Sequence, residues 1–245
     1  MKKSNLILLI TLALVMSMIL LGAIIVRVKF IGPGIEGDGN IVTQQRTLES
    51  FDKIRVSDHF TVVFTQDNIQ SVIVSADANL IDLVLTRVDN DVLIIESIER
   101  LRSRKELKLE ISNNDLTEVI TSRSAKFITQ NQLNLSSLKL TGNAGSFMDI
   151  DGIIESLRVS QNAGSRLFLK GEGTELDVEA NAGAQVKAIG FEANKANVTA
   201  NAGSQVEVNA KELSIHATSG SNVTYLGTPI ISNINLNSGA TAKSR

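Results

Sequence analysis

TGNAGSFMDIDGIIESLRVSQNAGSRLFLKGEGTELDVEANAGAQVKAIGFEANKANVTANAGS, residues 141–204, repeats one phrase four times. Its corners are GNAGS (Gly142–Ser146), QNAGS (Gln161–Ser165), ANAGA (Ala180–Ala184) and ANAGS (Ala200–Ser204), so Asn143, Asn162, Asn181 and Asn201 recur at 19, 19 and 20 residues. Two more corners follow, ATSGS (Ala217–Ser221) and LNSGA (Leu236–Ala240), with Thr218 and Asn237 in the asparagine position. A degenerate copy, TSRSAKF from Thr121, precedes TGNAGSF from Thr141 by 20 residues. A short alternating run leads into each corner, as in LRVSQNAG and LDVEANAG, and another leaves it, as in SRLFLKG and AQVKAIG. Each unit therefore holds at least two short strands.

Such a unit offers only two or three inward side chains per strand and cannot bury its own apolar stripe. Stacking the unit on itself does bury it, which predicts an all-β fold, a parallel β-solenoid with coils of about 19–20 residues. Inward columns should hold Leu157, Val159, Leu176, Val178, Ala196, Val198, Leu213 and Ile215 on one side, and Val186, Val206 and Val223 on another. The corners need a residue that tolerates left-handed backbone, and Gly145, Gly164, Gly183, Gly203, Gly220 and Gly239 supply it. The column Asn143, Asn162, Asn181 and Asn201 suits an amide ladder in which each side chain donates to and accepts from the next coil.

Working outward, the segment before the repeats reads as short strands (KIRV, FTVVFTQ, SVIVSA, DVLIIES, ELKLEIS and LTEVITS), and LIDLVLTRV near Leu80–Val88 fits a helix or a strand. These units, up to about Asn114, are longer and less regular, and are expected to cap or begin the helix as part of one domain over residues 36–245. Residues 31–40, IGPGIEGDGN, read as a glycine-rich linker. Residues 1–30 read as an N-terminal membrane anchor, uncleaved, whose apolar run of 21 residues, 6–26, carries no charge. As one transmembrane helix that run spans roughly 31 Å, about one hydrocarbon core. The short basic leader, Lys2 and Lys3, favours a C-terminal domain outside the cytoplasm, periplasmic or at the cell surface.

Of the 245 residues none is Cys and only two are His, His59 and His216, which removes thiol chemistry and disulfides and leaves little for a metal site or a catalytic triad. Residues 1–30 hold four of the 24 basic residues and none of the 26 acidic ones, so the remainder carries 20 against 26, a net charge of −6. That argues against nucleic acid as partner, and the one dense basic stretch, RLRSRK (Arg100–Lys105), reads as a solvated turn. The nearest thing to a carboxylate pair is Asp149 and Asp151 in FMDIDG, outward-facing if Met148 and Ile150 point inward; it is weighed as a calcium contact or catalytic pair and read as solvated charge. No cofactor is expected.

The phrases GDGNIVTQQRTLESFDKIRVSDHFTVVFTQ (Gly37–Gln66), SVIVSADANLIDLVLTRVDNDVLIIES, KELKLEIS and the serial corners resemble the "putative auto-transporter adhesin, head GIN domain" family over about 210 residues. Members typically open with GNGN and carry SGGSD corners; here the corners read NAGS, and Ser57, Asp58 and His59 stand where the family has Ser-Gly-Gly. The resemblance implies a right-handed parallel β-helix and carries over no catalytic residue. Together these readings predict a non-catalytic, adhesin-like envelope module, with a surface glycan or an envelope protein as partner. The alternatives are a scaffold resembling bactofilins, self-associating through the solenoid ends, and an enzyme acting on envelope polysaccharide.

Overall fold

The computed structural model describes residues 11–22 and 34–245, apart from 104 and 106. Among the described residues, 34–245 hold nineteen strands and a single 3-10 turn, Ile81–Leu83. The head contains β1 (Ile35–Glu36), β2 (Ile41–Arg46), β3 (Lys53–Val56), β4 (Thr61–Gln66), β5 (Ser71–Asp77), β6 (Val84–Asp89), β7 (Val92–Ser97), β8 (Leu101–Arg102) and β9 (Lys108–Asn113). The coils follow as β10 (Glu118–Thr121), β11 (Lys126–Thr129), β12 (Leu133–Gly142), β13 (Phe147–Gln161), β14 (Arg166–Ala180), β15 (Gln185–Ala200), β16 (Gln205–Ala217), β17 (Asn222–Tyr225), β18 (Ile230–Leu236) and β19 (Thr241–Ser244). They form a β-solenoid of about seven turns.

Every coil pairs in parallel with the one before it, β12 on β13, β13 on β14, β14 on β15 and β15 on β16. Corner recurrence fixes this register, and alternation then sends the same side chains inward in each coil. The inward columns are Leu138, Leu157, Leu176, Ala196 and Leu213 beside Leu140, Val159, Val178, Val198 and Ile215, with Val186, Val206 and Val223 on another wall; all are buried. Burying one such Val or Leu is worth about 1.5–3 kcal/mol, so each added coil is stabilised by the one beneath it. One continuous core runs from Phe51 to Val223. Its bulkiest side chains, Phe60, Phe64, Phe127 and Phe191, are fully buried, and Phe64 and Phe127 stack at 5.8 Å across the head and the first coil.

The head ends the stack. Coil β10–β11 pairs with β3 and β4 exactly as later coils pair with each other in sense, in parallel, and β3 and β4 in turn pair in parallel with β7 and β9. Beyond them the sense reverses: β5 is antiparallel to β9, β2 to β5 and β6 to β7. No further parallel coil continues from an antiparallel strand, so these strands cap the solenoid. The opposite end is bare. All seven residues of β18 are exposed, including Ile230 at 73%, while Leu213 and Ile215 in the neighbouring strand are fully covered.

Two expectations need correction, and a third resolves. The degenerate corner aligns with an offset of 21 residues, not 20, because Thr121 pairs with Gly142 and Lys126 with Phe147. A one-residue slip would have turned buried Phe127 to solvent, and the left-handed pair Arg123–Ser124 now matches Ala144–Gly145. The segment Leu80–Val88, expected as helix or strand, divides into a one-turn 3-10 helix, Ile81–Leu83, and the start of β6 at Val84. The glycine-rich linker is a bound segment from Gly34 onward: β1 pairs with β8, Gly39 N donates to Asp77 Oδ1 at 2.7 Å and Asn79 Nδ2 to Glu36 O at 2.8 Å. Residues 31–33 lie outside the described residues. The expected transmembrane run 6–26 lies partly outside the described residues, which cover 11–22 of it as an α-helix with exposed apolar side chains; among the described residues no helix is long and apolar enough to cross a membrane.

Candidate functional site

The solenoid presents its chemistry in columns, so each candidate residue is defined by what lies directly above and below it. At the main corner two successive residues adopt left-handed backbone, Ala144, Ala163, Ala182 and Ala202 at φ near +50° and the glycines after them near +70°. Each of those glycines donates its N–H to the alanine or serine carbonyl of the next coil: Gly145 to Ala163 at 3.0 Å, Gly164 to Ala182 at 3.1 Å, Gly183 to Ala202 and Gly203 to Ser219 at 3.0 Å, and Gly220 to Ser238 at 3.0 Å. The last, Gly239, has φ +76°. Nothing lies within 4 Å of a Cβ built on Gly183, so substituting it would cost only the left-handed conformation, about 1–2 kcal/mol.

Beside this backbone ladder runs a side-chain ladder. Asn162 donates Nδ2 to Asn143 Oδ1 at 3.4 Å, Asn181 to Asn162 at 3.2 Å, and Asn201 to Asn181 at 2.9 Å; Thr218 Oγ1 continues it to Asn201 Oδ1 at 2.8 Å. Inside the corner, small side chains close the turn, with Ser165 Oγ donating to Gly142 O at 3.0 Å and Ser221 Oγ to Ala200 O at 2.8 Å. Gly142 O and Ala200 O thereby accept a second bond beside the backbone N–H of Asn162 and Thr218, while the buried Ser204 Oγ of the fourth corner has no partner.

Asp149 and Asp151 lie half-buried on the outer surface of β13, flanking fully buried Ile150. Asp151 accepts from Gln132 Nε2 at 3.1 Å and lies level with Lys170, and Asp149 lies level with Phe168. Leu167 and Leu169 of the next coil pair with Met148 and Ile150 and face the core. Among the described residues no group of three or more His, Asp or Glu is arranged to hold a metal ion. His216 is exposed, and His59 is an exposed corner residue at φ +62°.

What the repeats did not disclose is the outward patch around Asp149. Phe147 and Phe168 lie half-buried on adjacent coils with ring centroids 5.5 Å apart and planes tilted by 45°, and Lys187 Nζ sits 5.1 Å from the Phe168 centroid. The register that sets Asp149 beside Phe168 and Lys187 was readable from the 19-residue spacing, once Met148 was assigned to the core. A second concavity, of about 880 Å³, opens at the head between corner residues Asp58, His59 and Arg123 and the segment from Glu96 to Leu107. On the corner side of it Arg123 Nε meets Asp58 Oδ1 at 2.9 Å.

The chain is thus an all-β, parallel β-solenoid with hydrogen-bonded corners, capped at one end by antiparallel strands. This chain belongs to the family described as "putative auto-transporter adhesin, head GIN domain", which matches residues 50–229. The family's Ser-Gly-Gly phrase falls on Ser57, Asp58 and His59, the latter two at φ +64° and +62°, a conformation glycine takes without strain. Several solved structures share the fold. A "putative adhesin" from Bacteroides fragilis NCTC 9343 superposes with a TM-score of 0.75 at 16% identity, covering 86% of this chain and 99% of that one. A "putative lipid binding protein" from Parabacteroides distasonis ATCC 8503 gives 0.71 at 18% identity with the same coverage of both chains. A "putative adhesin" from Parabacteroides merdae ATCC 43184 gives 0.71 at 16% identity, again covering 86% and 99%. No curated protein matches the chain.

Proposed function

We propose that this chain is a membrane-anchored, extracytoplasmic binding module that holds a surface glycan on the outer face of its solenoid without catalysing a reaction on it. The observation that carries this reading is the outward pair Phe147–Phe168 with Lys187 and Asp149 around it. Sugar rings stack their C–H faces on aromatic side chains, and their hydroxyls bond to flanking charged and polar groups. Supporting the envelope location are the uncharged run 6–26 with its basic leader and membership of a family described by an adhesin name.

The test is binding of the full chain to isolated envelope polysaccharides, compared with Phe147→Ala/Phe168→Ala. The expected result is saturable binding without release of new sugar ends, weakened at least about tenfold in the double variant, equivalent to 1.4 kcal/mol. Binding unchanged by the double variant, or turnover abolished by Asp149→Asn or Asp151→Asn, would overturn the reading. Because the chain has no cysteine, Ser238→Cys in the exposed last corner also reports location. Its labelling by an impermeant maleimide in intact cells is the expected outcome, and labelling only after lysis would refute an extracytoplasmic domain.

A further inference from the structure

The stretch RLRSRK, read from sequence as a solvated turn, occupies a special place in the column of corners. In the coil that runs from β7 to β9, the two-residue left-handed corner is replaced by residues 98–106. The backbone bonds Ser57 N to Ile95 O at 3.1 Å and Thr61 N to Leu107 O at 2.8 Å mark where regular stacking stops and resumes. Expansions of a solenoid corner gather on one face and commonly form its contact surface. Arg100, Arg102 and Lys105 are exposed on this expansion. Neither Arg100 nor Lys105 forms an ion pair among the described residues, whereas Arg123 nearby is matched by Asp58, which also accepts from Ser97 N at 3.2 Å. These cations stand out on a chain whose residues 31–245 carry a net charge of −6, from 20 basic and 26 acidic residues.

The expansion is also where the polypeptide enters the domain. β1 lies parallel on β8, with Ile35 N donating to Arg100 O at 2.9 Å and Gly37 N to Arg102 O at 3.1 Å. Only residues 27–33, Arg27 and Lys29 among them, separate the apolar run ending at Val26 from Gly34. Fully extended, that connection reaches less than about 30 Å. The chain that would leave the bilayer is therefore fastened to the basic corner itself. We infer that the expanded corner rests on anionic lipid headgroups, with Arg100 and Lys105 engaging their phosphates and setting the solenoid's orientation on the membrane. Juxtamembrane basic clusters are drawn to acidic lipids over about a Debye length, roughly 8 Å at physiological salt, and the short connection holds this corner close to the surface.

The inference rests on the membrane anchoring proposed above, and its test separates the two. The full chain carrying a single fluorophore at Ile98→Cys, an exposed position lining the corner cavity, is reconstituted into phosphatidylcholine vesicles with or without phosphatidylglycerol. Nitroxides on the lipid headgroups serve as quenchers, and the same label at Ser238→Cys is the remote control. Strong quenching at position 98 in anionic vesicles only is expected, with loss of it in high salt or on Arg100→Glu/Lys105→Glu, and none at position 238. Equal quenching at 98 in both vesicle types, or quenching that survives charge reversal, in a protein that resists alkaline carbonate extraction, would overturn the inference alone. Extraction by carbonate would refute the anchor and the inference with it.

Discussion

Gln161 is the residue at which the repeat departs most from its own rule. Its side chain is fully buried in the solenoid, level with Gly142 before it and Ala180 after it, and neither its Oε1 nor its Nε2 has a hydrogen-bond partner. Gly142 makes the room: a Cβ there would run into Gln161 Oε1. A buried amide with no partner costs about 1–3 kcal/mol. Gln161→Met keeps the shape and removes the polar atoms, so it is expected to raise the unfolding free energy by about 1–2 kcal/mol. A denaturant midpoint that moves down instead would contradict this account. Sequence alone showed QNAGS as another corner, with nothing to distinguish its first residue; whether an inward amide finds a partner depends on the contents of neighbouring coils.

At the scale of elements, the seam between head and first coil is held by Asp52. Its carbonyl accepts from Thr117 N at 2.7 Å, and its carboxylate accepts from Thr117 Oγ1 at 2.8 Å and meets Lys53 Nζ at 3.1 Å. Burial on its own pushes this carboxyl upward and is the largest single influence, but the Thr117 hydroxyl and the Lys53 ammonium together outweigh it, so the group sits below its ordinary value. A lowered folded-state value means stability that is present above the unfolded carboxylate's titration, near pH 3.9, and is lost as pH falls through the folded value. Asp52→Asn should therefore be less stable than the natural chain at neutral pH and lose less on acidification below about pH 4. Parallel acid-denaturation curves would contradict it. The coil elements were legible because each strand repeats its neighbour's alternation. The head strands were legible as strands, but their antiparallel order was not, since no repeat links Val42 to Ala76 or Thr86 to Ile95. The place of Arg100–Lys105 in a corner column was hidden for the same reason, because the expansion erased the corner phrase.

For the whole molecule, the two ends of the stack differ in kind. The antiparallel head offers no template for a parallel coil, which works against head-to-tail filaments of the bactofilin type. Among the described residues the far end leaves β18 paired only with β16, and β19 only with β17. Amides of these two strands should exchange with solvent on the order of 100-fold faster than those of β14, which has a coil on each side. Uniform protection along the stack, read by exchange mass spectrometry, would show that this end is covered in solution.

The same asymmetry gives the molecule an order of assembly. The head is complete by Asn113, and the first coil docks on β3 and β4, which precede it in the chain. Every later coil then docks on one already made, across sequence separations of about 20 residues. A chain delivered from its N-terminus, whether from the ribosome or through a membrane pore, thus meets a finished template at each step and never waits for residues still to come. Folding can be vectorial, one coil at a time, and the closing of each coil can rectify the passage of the next.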